Sequence, residues 1–185
     1  MFPIGDDDTQ RRTFPVVTYA LIAMNVAVFL VELSGGDQFV QEWAFIPARF
    51  SAYPVANAVT ILTAMFMHAS WFHLFGNMLF LWIFGDNVED SFGHVQFLIF
   101  YLLVGVAATL AQFAMAPHSS LPNLGASGAI AGVLGAYILM FPQERVKCAA
   151  RQHDCRHARN HRDWPLDCFT ALQWHWNNCP RPRNH

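Results

Sequence analysis

Residues 95–116 read VQFLIFYLLVGVAATLAQFAMA, 22 positions without one charged side chain. A bilayer core about 30 Å thick takes about 20 apolar residues as helix, with a range of about 17–25. Three more apolar runs surround this one: Val16–Leu33, Trp71–Gly85 with the mostly apolar flank Ala58–Met67 upstream, and Leu124–Phe141, stopped by Pro142. The first and last qualify as spans alone. The second qualifies only if part of its upstream flank joins it. Buried helices of a soluble protein are the alternative reading, and four such runs in one short stretch argue against it. The composition agrees, being 54% hydrophobic and 13% charged, where soluble domains carry roughly a quarter charged residues. With a net charge of −2, bulk electrostatics point to no nucleic-acid partner. The expected fold class is an all-α membrane protein, with a transmembrane domain over residues 1–146 and a separate tail over 147–185.

Charge supplies an orientation. If the N-terminus is cytoplasmic and four spans follow, Arg11, Arg12 and every Lys or Arg from Arg145 onward fall inside, and only Arg49 falls outside. Cytoplasmic loops carry an excess of Lys and Arg. No signal-peptidase site of A-x-A type follows the first span, so it reads as a retained signal anchor. A multi-pass protein of the bacterial cytoplasmic membrane is the expected setting.

Polar residues inside these runs are the informative ones, because lipid satisfies no hydrogen bond. In His68-Ala-Ser-Trp-Phe-His73-Leu-Phe-Gly-Asn77 the last two polar side chains, His73 and Asn77, are four apart. On a helix they share one face, one turn from each other. An imidazole and a carboxamide at fixed separation suit a developing oxyanion; they could equally bond across helices. His68, five before His73, is expected on another face, where a structural hydrogen bond suits it. Gly125-Ala126-Ser127-Gly128 opens the fourth run. A serine where a helix begins has free backbone N–H groups and the positive end of the helix dipole beside it. It can be a nucleophile with an anion site in place, or an ordinary N-cap. Behind it, Gly128 and Gly132 form one small-residue row, and Ser127, Ala131 and Gly135 another, spacings that let membrane helices pack closely.

Taken in order, these residues resemble the rhomboid family of intramembrane serine proteases over about Thr13 to Pro142. The likeness rests on His68-x4-His73-x3-Asn77, then Gly85, Val88-Glu89-Asp90 and Gly93, then Phe97, Tyr101 and Gly105, then Gly125-Ala126-Ser127-Gly128-Ala129. The resemblance implies a rhomboid-like helical bundle of six core helices, four of them present here, around a water-filled cavity open to the outer face. It implies Ser127 as nucleophile, and His73, Asn77 and the Ser127 backbone N–H as oxyanion donors. Gly125 matches the turn of the serine motif, and Glu89 a structural acid. Substrates would be transmembrane helices of other proteins, cut near the membrane surface, with no metal or organic cofactor.

The same family pattern carries a general-base histidine in a sixth span, and no span follows Phe141. In the 39 residues from Lys147 to His185, only Leu166 and Leu172 are Leu, Ile, Val or Met. The tail histidines, His153, His157, His161, His175 and His185, have no apolar run to carry them into a bilayer. The tail reads as coding sequence in a shifted frame, expected to be irregular. On this reading the chain as written is expected to be unstable and nearly inactive. The four tail cysteines, Cys148, Cys155, Cys168 and Cys179, form no C-x2-C pair, so no zinc site is read there. Two other functions fit less well. One is a catalytically inactive rhomboid-like membrane binding protein; the other is a channel or carrier subunit, which lacks a charged pore ring. No oligomeric state is read from the sequence.

Overall fold

Helices form where the apolar runs lie, and their ends fall where the sequence changes chemistry. The computed structural model describes residues 3–5, 13–142 and 147–148. Helix α1 covers Val16–Trp43 and breaks at Gly36 (φ 59°, ψ −152°), three residues after the expected span ends. Only glycine adopts that backbone freely. A connection of short helices follows: α2 (Pro47–Ala52), α3 (Pro54–Asn57), α4 (Thr60–Thr63) and a 3-10 turn at Ala64–Phe66. Then come α5 (Trp71–Phe92), α6 (His94–Met115) and α7 (Ser127–Met140).

Two of the four expected spans differ in extent. Helix α5 gains its length downstream, through Asp86–Phe92, and not from the Ala58–Met67 flank. That flank belongs to a segment, Pro54–Phe66, bent from α5 by 77°. The cause lies at Met67–Ser70, where the chain leaves helix and Ser70 caps α5 by accepting from the His73 N–H. Helix α7 begins at Ser127, not Leu124, and has 14 residues, about 21 Å of rise. Helices α1 and α6 are each long and apolar enough to cross a membrane.

Apart from one pair of short strands, every regular element among the described residues is helical. Strands β1 (Pro3–Gly5) and β2 (Lys147–Cys148) run antiparallel, pairing Pro3 with Cys148 and Gly5 with Lys147. They belong to a compact unit separate from the bundle of residues 8–140. The rest of the expected irregular tail, with its histidines and its other cysteines, lies outside the described residues.

Close packing in the bundle depends on small residues. Any side chain at Gly128 would lie 2.5 Å from Ala108 Cβ, and one at Gly132 would collide with Val104, so this row seats α7 on α6. Gly105 receives Ala129 and Met65 in the same way. The second row is more open: Ser127, Ala131 and Gly135 are half-buried, and nothing lies within 4 Å of the Cβ position of Gly135. Helix α6 covers the Gly128–Gly132 row. Gly85 lets α5 meet Thr18 of α1.

The charges inside the bundle are used structurally. Glu89, fully buried near the end of α5, accepts from the Val17 N–H (2.9 Å), the Thr18 N–H (2.7 Å) and the Thr18 hydroxyl (2.6 Å). It lies 2.6 Å from His94 Nδ1 as well. A carboxylate placed there meets the orphan donors and the positive end of α1. Arg49, the one cation expected outside, turns its guanidinium onto the end of α1, to the carbonyls of Gln41 and Glu42 and of Ala44 just beyond the helix.

Candidate active site

Helix α5 and the start of α7 carry the polar residues singled out above. The Ser70 cap sets the first turn of α5, which places His73 in that turn and Asn77 one turn further along the same face. Asn77 is 9% exposed, and its Nδ2 has no hydrogen-bond partner among the described residues.

The approach to Ser127 is held from the α1–α5 connection. Phe45 and Asn123 exchange backbone hydrogen bonds (3.3 and 2.7 Å), and the Ala48 N–H donates to the Ser119 carbonyl at 2.9 Å. The Gly125 N–H donates to the Ala64 carbonyl at 2.8 Å. Gly125 itself has φ +128°, a conformation that strains a residue with a Cβ. Beyond it, the first α7 bond runs from the Ile130 N–H to the Ala126 carbonyl. Ser127 is therefore the first helical residue and not the N-cap. N–H groups ahead of Ile130, its own included, have no acceptor inside the helix.

Two side chains converge over Gly125. A Cβ built there would stand 2.8 Å from Cε1 and 3.1 Å from Nε2 of His73, and 3.7 Å from the Ser127 hydroxyl. Glycine leaves this volume open, and the imidazole and the hydroxyl border it from two helices. The arrangement has a nucleophile-type oxygen, unsatisfied backbone donors and an imidazole edge around one small space. Among the described residues, no group of three or more His, Cys, Asp or Glu side chains is placed to hold a metal ion.

His68 is 1% exposed, with its ring against the Phe66 backbone. The ring also packs edge-on to His73, with centroids 5.2 Å apart, and against Phe29 at 6.5 Å. Its backbone N–H donates to Glu32 Oε2 at 3.0 Å. Sequence reasoning missed Glu32 and the Ala64 carbonyl as supports of the site. A charge inside an apolar helix was the available signal for the first; a backbone carbonyl leaves none.

Comparison with known proteins adds an independent line. Residues 56–152 match the family model described as Rhomboid domain. The chain is 33% identical over 144 residues to Rhomboid protein 1, mitochondrial, of Saccharomyces cerevisiae, covering 75% of this chain and 40% of that protein. It is 36% identical over 126 residues to Rhomboid protease GluP of Bacillus subtilis, covering 67% and 24%. It is 39% identical over 120 residues to Rhomboid-like protein 11, chloroplastic, of Arabidopsis thaliana, covering 65% and 40%. The chain thus spans well under half the length of each of these relatives.

Proposed function

This chain belongs to the rhomboid family, and from that premise we propose that it is an intramembrane serine endopeptidase of rhomboid type acting on transmembrane helices. One observation carries the reading: the His73 imidazole and the Ser127 hydroxyl border the same space over Gly125. In this reading Ser127 Oγ attacks the scissile carbonyl carbon as its proton passes to a base, and the carbonyl oxygen takes up the π electron pair as the oxyanion. Its donors are the Ser127 N–H, free at the helix start, the Nε2–H of His73 and Nδ2 of Asn77. Donors fixed beforehand stabilise charge without reorganisation, and each typically contributes about 10²–10³ in rate. Gly125 gives the substrate backbone room to reach the serine. The family pattern gives that base as a histidine for which this sequence offers no candidate, so the proposed activity of the chain as written is low.

The lipid bilayer and transmembrane protein substrates are the proposed partners. A bacterial cytoplasmic membrane, with the N-terminus on the cytoplasmic side, is the proposed setting, supported by Arg11 and Arg12 ahead of α1. A serine-directed phosphonate tests the reading on the full chain in lipid. Labelling should map to Ser127 by mass spectrometry, disappear in Ser127→Ala and slow in His73→Ala and Asn77→Ala. Equal labelling of the wild type and Ser127→Ala removes the nucleophile assignment. An unlabelled chain that binds a transmembrane partner equally well with Ser127→Ala is the inactive binding protein instead.

A further inference from the structure

Glu32 is an ionisable side chain inside α1, a helix long and apolar enough to cross a membrane, and the proposed mechanism does not use it. Such residues are costly in a bilayer, and the partner they find shows what they do. Glu32 is 6% exposed, and its Oε2 accepts from the His68 N–H at 3.0 Å. It belongs to a polar stripe on one face of α1. Thr18, Asn25 and Glu32 are all buried and follow each other at seven residues, about 10 Å of rise. Thr18 bonds to Glu89 of α5, and Asn25 meets the Tyr101 hydroxyl of α6. Those two ties join helix to helix. Glu32 instead reaches the break in helix at residues 67–70.

Both sides of the candidate site hang on the chain around that break. On the serine side, the Ala64 carbonyl holds the Gly125 N–H at 2.8 Å. On the imidazole side, Ser70 caps α5 and so sets the turn that carries His73. Between the two, the chain turns extended at Met67 (φ −88°, ψ 153°), and the next N–H goes to Glu32. Phe29, about one turn before Glu32, packs edge-on to the rings of His68 and Trp71 at 6.5 and 4.9 Å. Helix α1 thus grips the break by a hydrogen bond and by ring contacts. We propose that Glu32 is a positioning residue, which anchors residues 67–70 to α1 and so sets the separation of His73 from the Ser127 hydroxyl. The inference rests on reading those two groups as oxyanion donor and nucleophile. The role needs an acceptor at the right reach and no negative charge, since the donor is an uncharged N–H.

The test uses the full chain in lipid bilayers, with ¹³C at serine Cβ and ¹⁵N in the histidine rings. The dipolar coupling between Ser127 and His73, identified by its absence in Ser127→Ala, reports their separation without turnover. It should weaken in Glu32→Leu, which has no acceptor, and in Glu32→Asp, which is polar but one methylene short. Glu32→Gln, an acceptor at the original reach, should restore it. Phosphonate labelling of Ser127 should follow the same order. Its maximal rate should fall about tenfold in the Leu and Asp variants, with half-saturation unchanged, because small misplacements of reacting groups are costly. Asn25→Leu, which removes the middle tie of the same stripe, should keep the wild-type coupling. An unchanged coupling in Glu32→Leu and Glu32→Asp overturns the inference. So does a Glu32→Gln chain that behaves like Glu32→Leu, or an Asn25→Leu chain that weakens the coupling as much. Should Glu32→Leu fail to fold, Glu32→Asp against Glu32→Gln makes the same comparison. Ser127-independent labelling refutes the protease reading, and the coupling measurement stands apart from it.

Discussion

Replacing Glu89 by Leu should destabilise the bundle by about 3–4 kcal/mol. The figure comes from the donors that this carboxylate satisfies at zero exposure: the Val17 N–H, the Thr18 N–H and the Thr18 hydroxyl, all within 2.9 Å. The two N–H groups sit in the first turn of α1, where no intrahelical acceptor exists. Each, left buried and unpaired, costs about 1–3 kcal/mol. The hydroxyl can turn back to a carbonyl of its own helix and recover most of its bond. His94, with 45% of its side chain exposed, regains water and adds little. Loss of the negative charge at the helix start adds about 0.5–1 kcal/mol, which brings the total to the figure given. Glu89→Gln keeps one acceptor oxygen but turns an amide N–H toward the remaining donors, so about half the loss is expected. Asp90→Asn serves as the control, because the Thr13 groups that it binds at 2.7 and 2.6 Å are exposed, and it should cost under about 1 kcal/mol. Reversible unfolding in mixed micelles, followed by circular dichroism on the full chain, supplies the measurement. Domains of this size have about 5–15 kcal/mol in total, so the shift is large on that scale. If Glu89→Leu unfolds within about 0.5 kcal/mol of the wild type, the tie between α5 and α1 does not hold the bundle and the reasoning fails.

Further predictions follow from single contacts. Gly125→Ala combines a left-handed φ of +128° with a methyl 2.8 Å from His73 Cε1; it should cost about 1–3 kcal/mol and abolish phosphonate labelling at Ser127, while far-ultraviolet circular dichroism stays unchanged. Gly132→Leu should separate α7 from α6 at Val104 and lower the unfolding midpoint, whereas Gly135→Ala, with open space at its Cβ, should raise stability by up to about 1 kcal/mol. Equal effects at the two positions would contradict the packing described for α7. Arg49→Met should leave the carbonyls of Gln41 and Ala44 without their cation and cost about 1–2 kcal/mol, read as faster hydrogen exchange confined to residues 37–50.

Hydrophobic patterning was enough to locate the four long helices, though not the short ones α2, α3 and α4, because a lipid-facing helix must satisfy its own backbone and show apolar side chains along its whole length. Val95–Ala116 could be read without any partner, and it forms α6 within one residue at either end. The shared face of His73 and Asn77 was legible for a similar reason, since four residues bring a helix round by about one turn. Boundaries set by local caps were less legible. The 77° bend before α5 depends on Ser70 capping the His73 N–H, and the apolar flank upstream carries no mark of it.

Legible in the chain alone were the four long helices and the few polar residues that had to be sheltered from lipid. Which of those residues meet was decided by tertiary structure alone. The convergence of His73 and Ser127 over Gly125 depends on the Ala64 carbonyl holding the Gly125 N–H, and on Gly128 and Gly132 letting α7 close on α6. The edge contact of His68 with His73 depends likewise on Glu32 arriving from another helix. Periodicity fixes the face a side chain occupies within its own helix, but contacts between helices arise from close packing, which no single segment encodes.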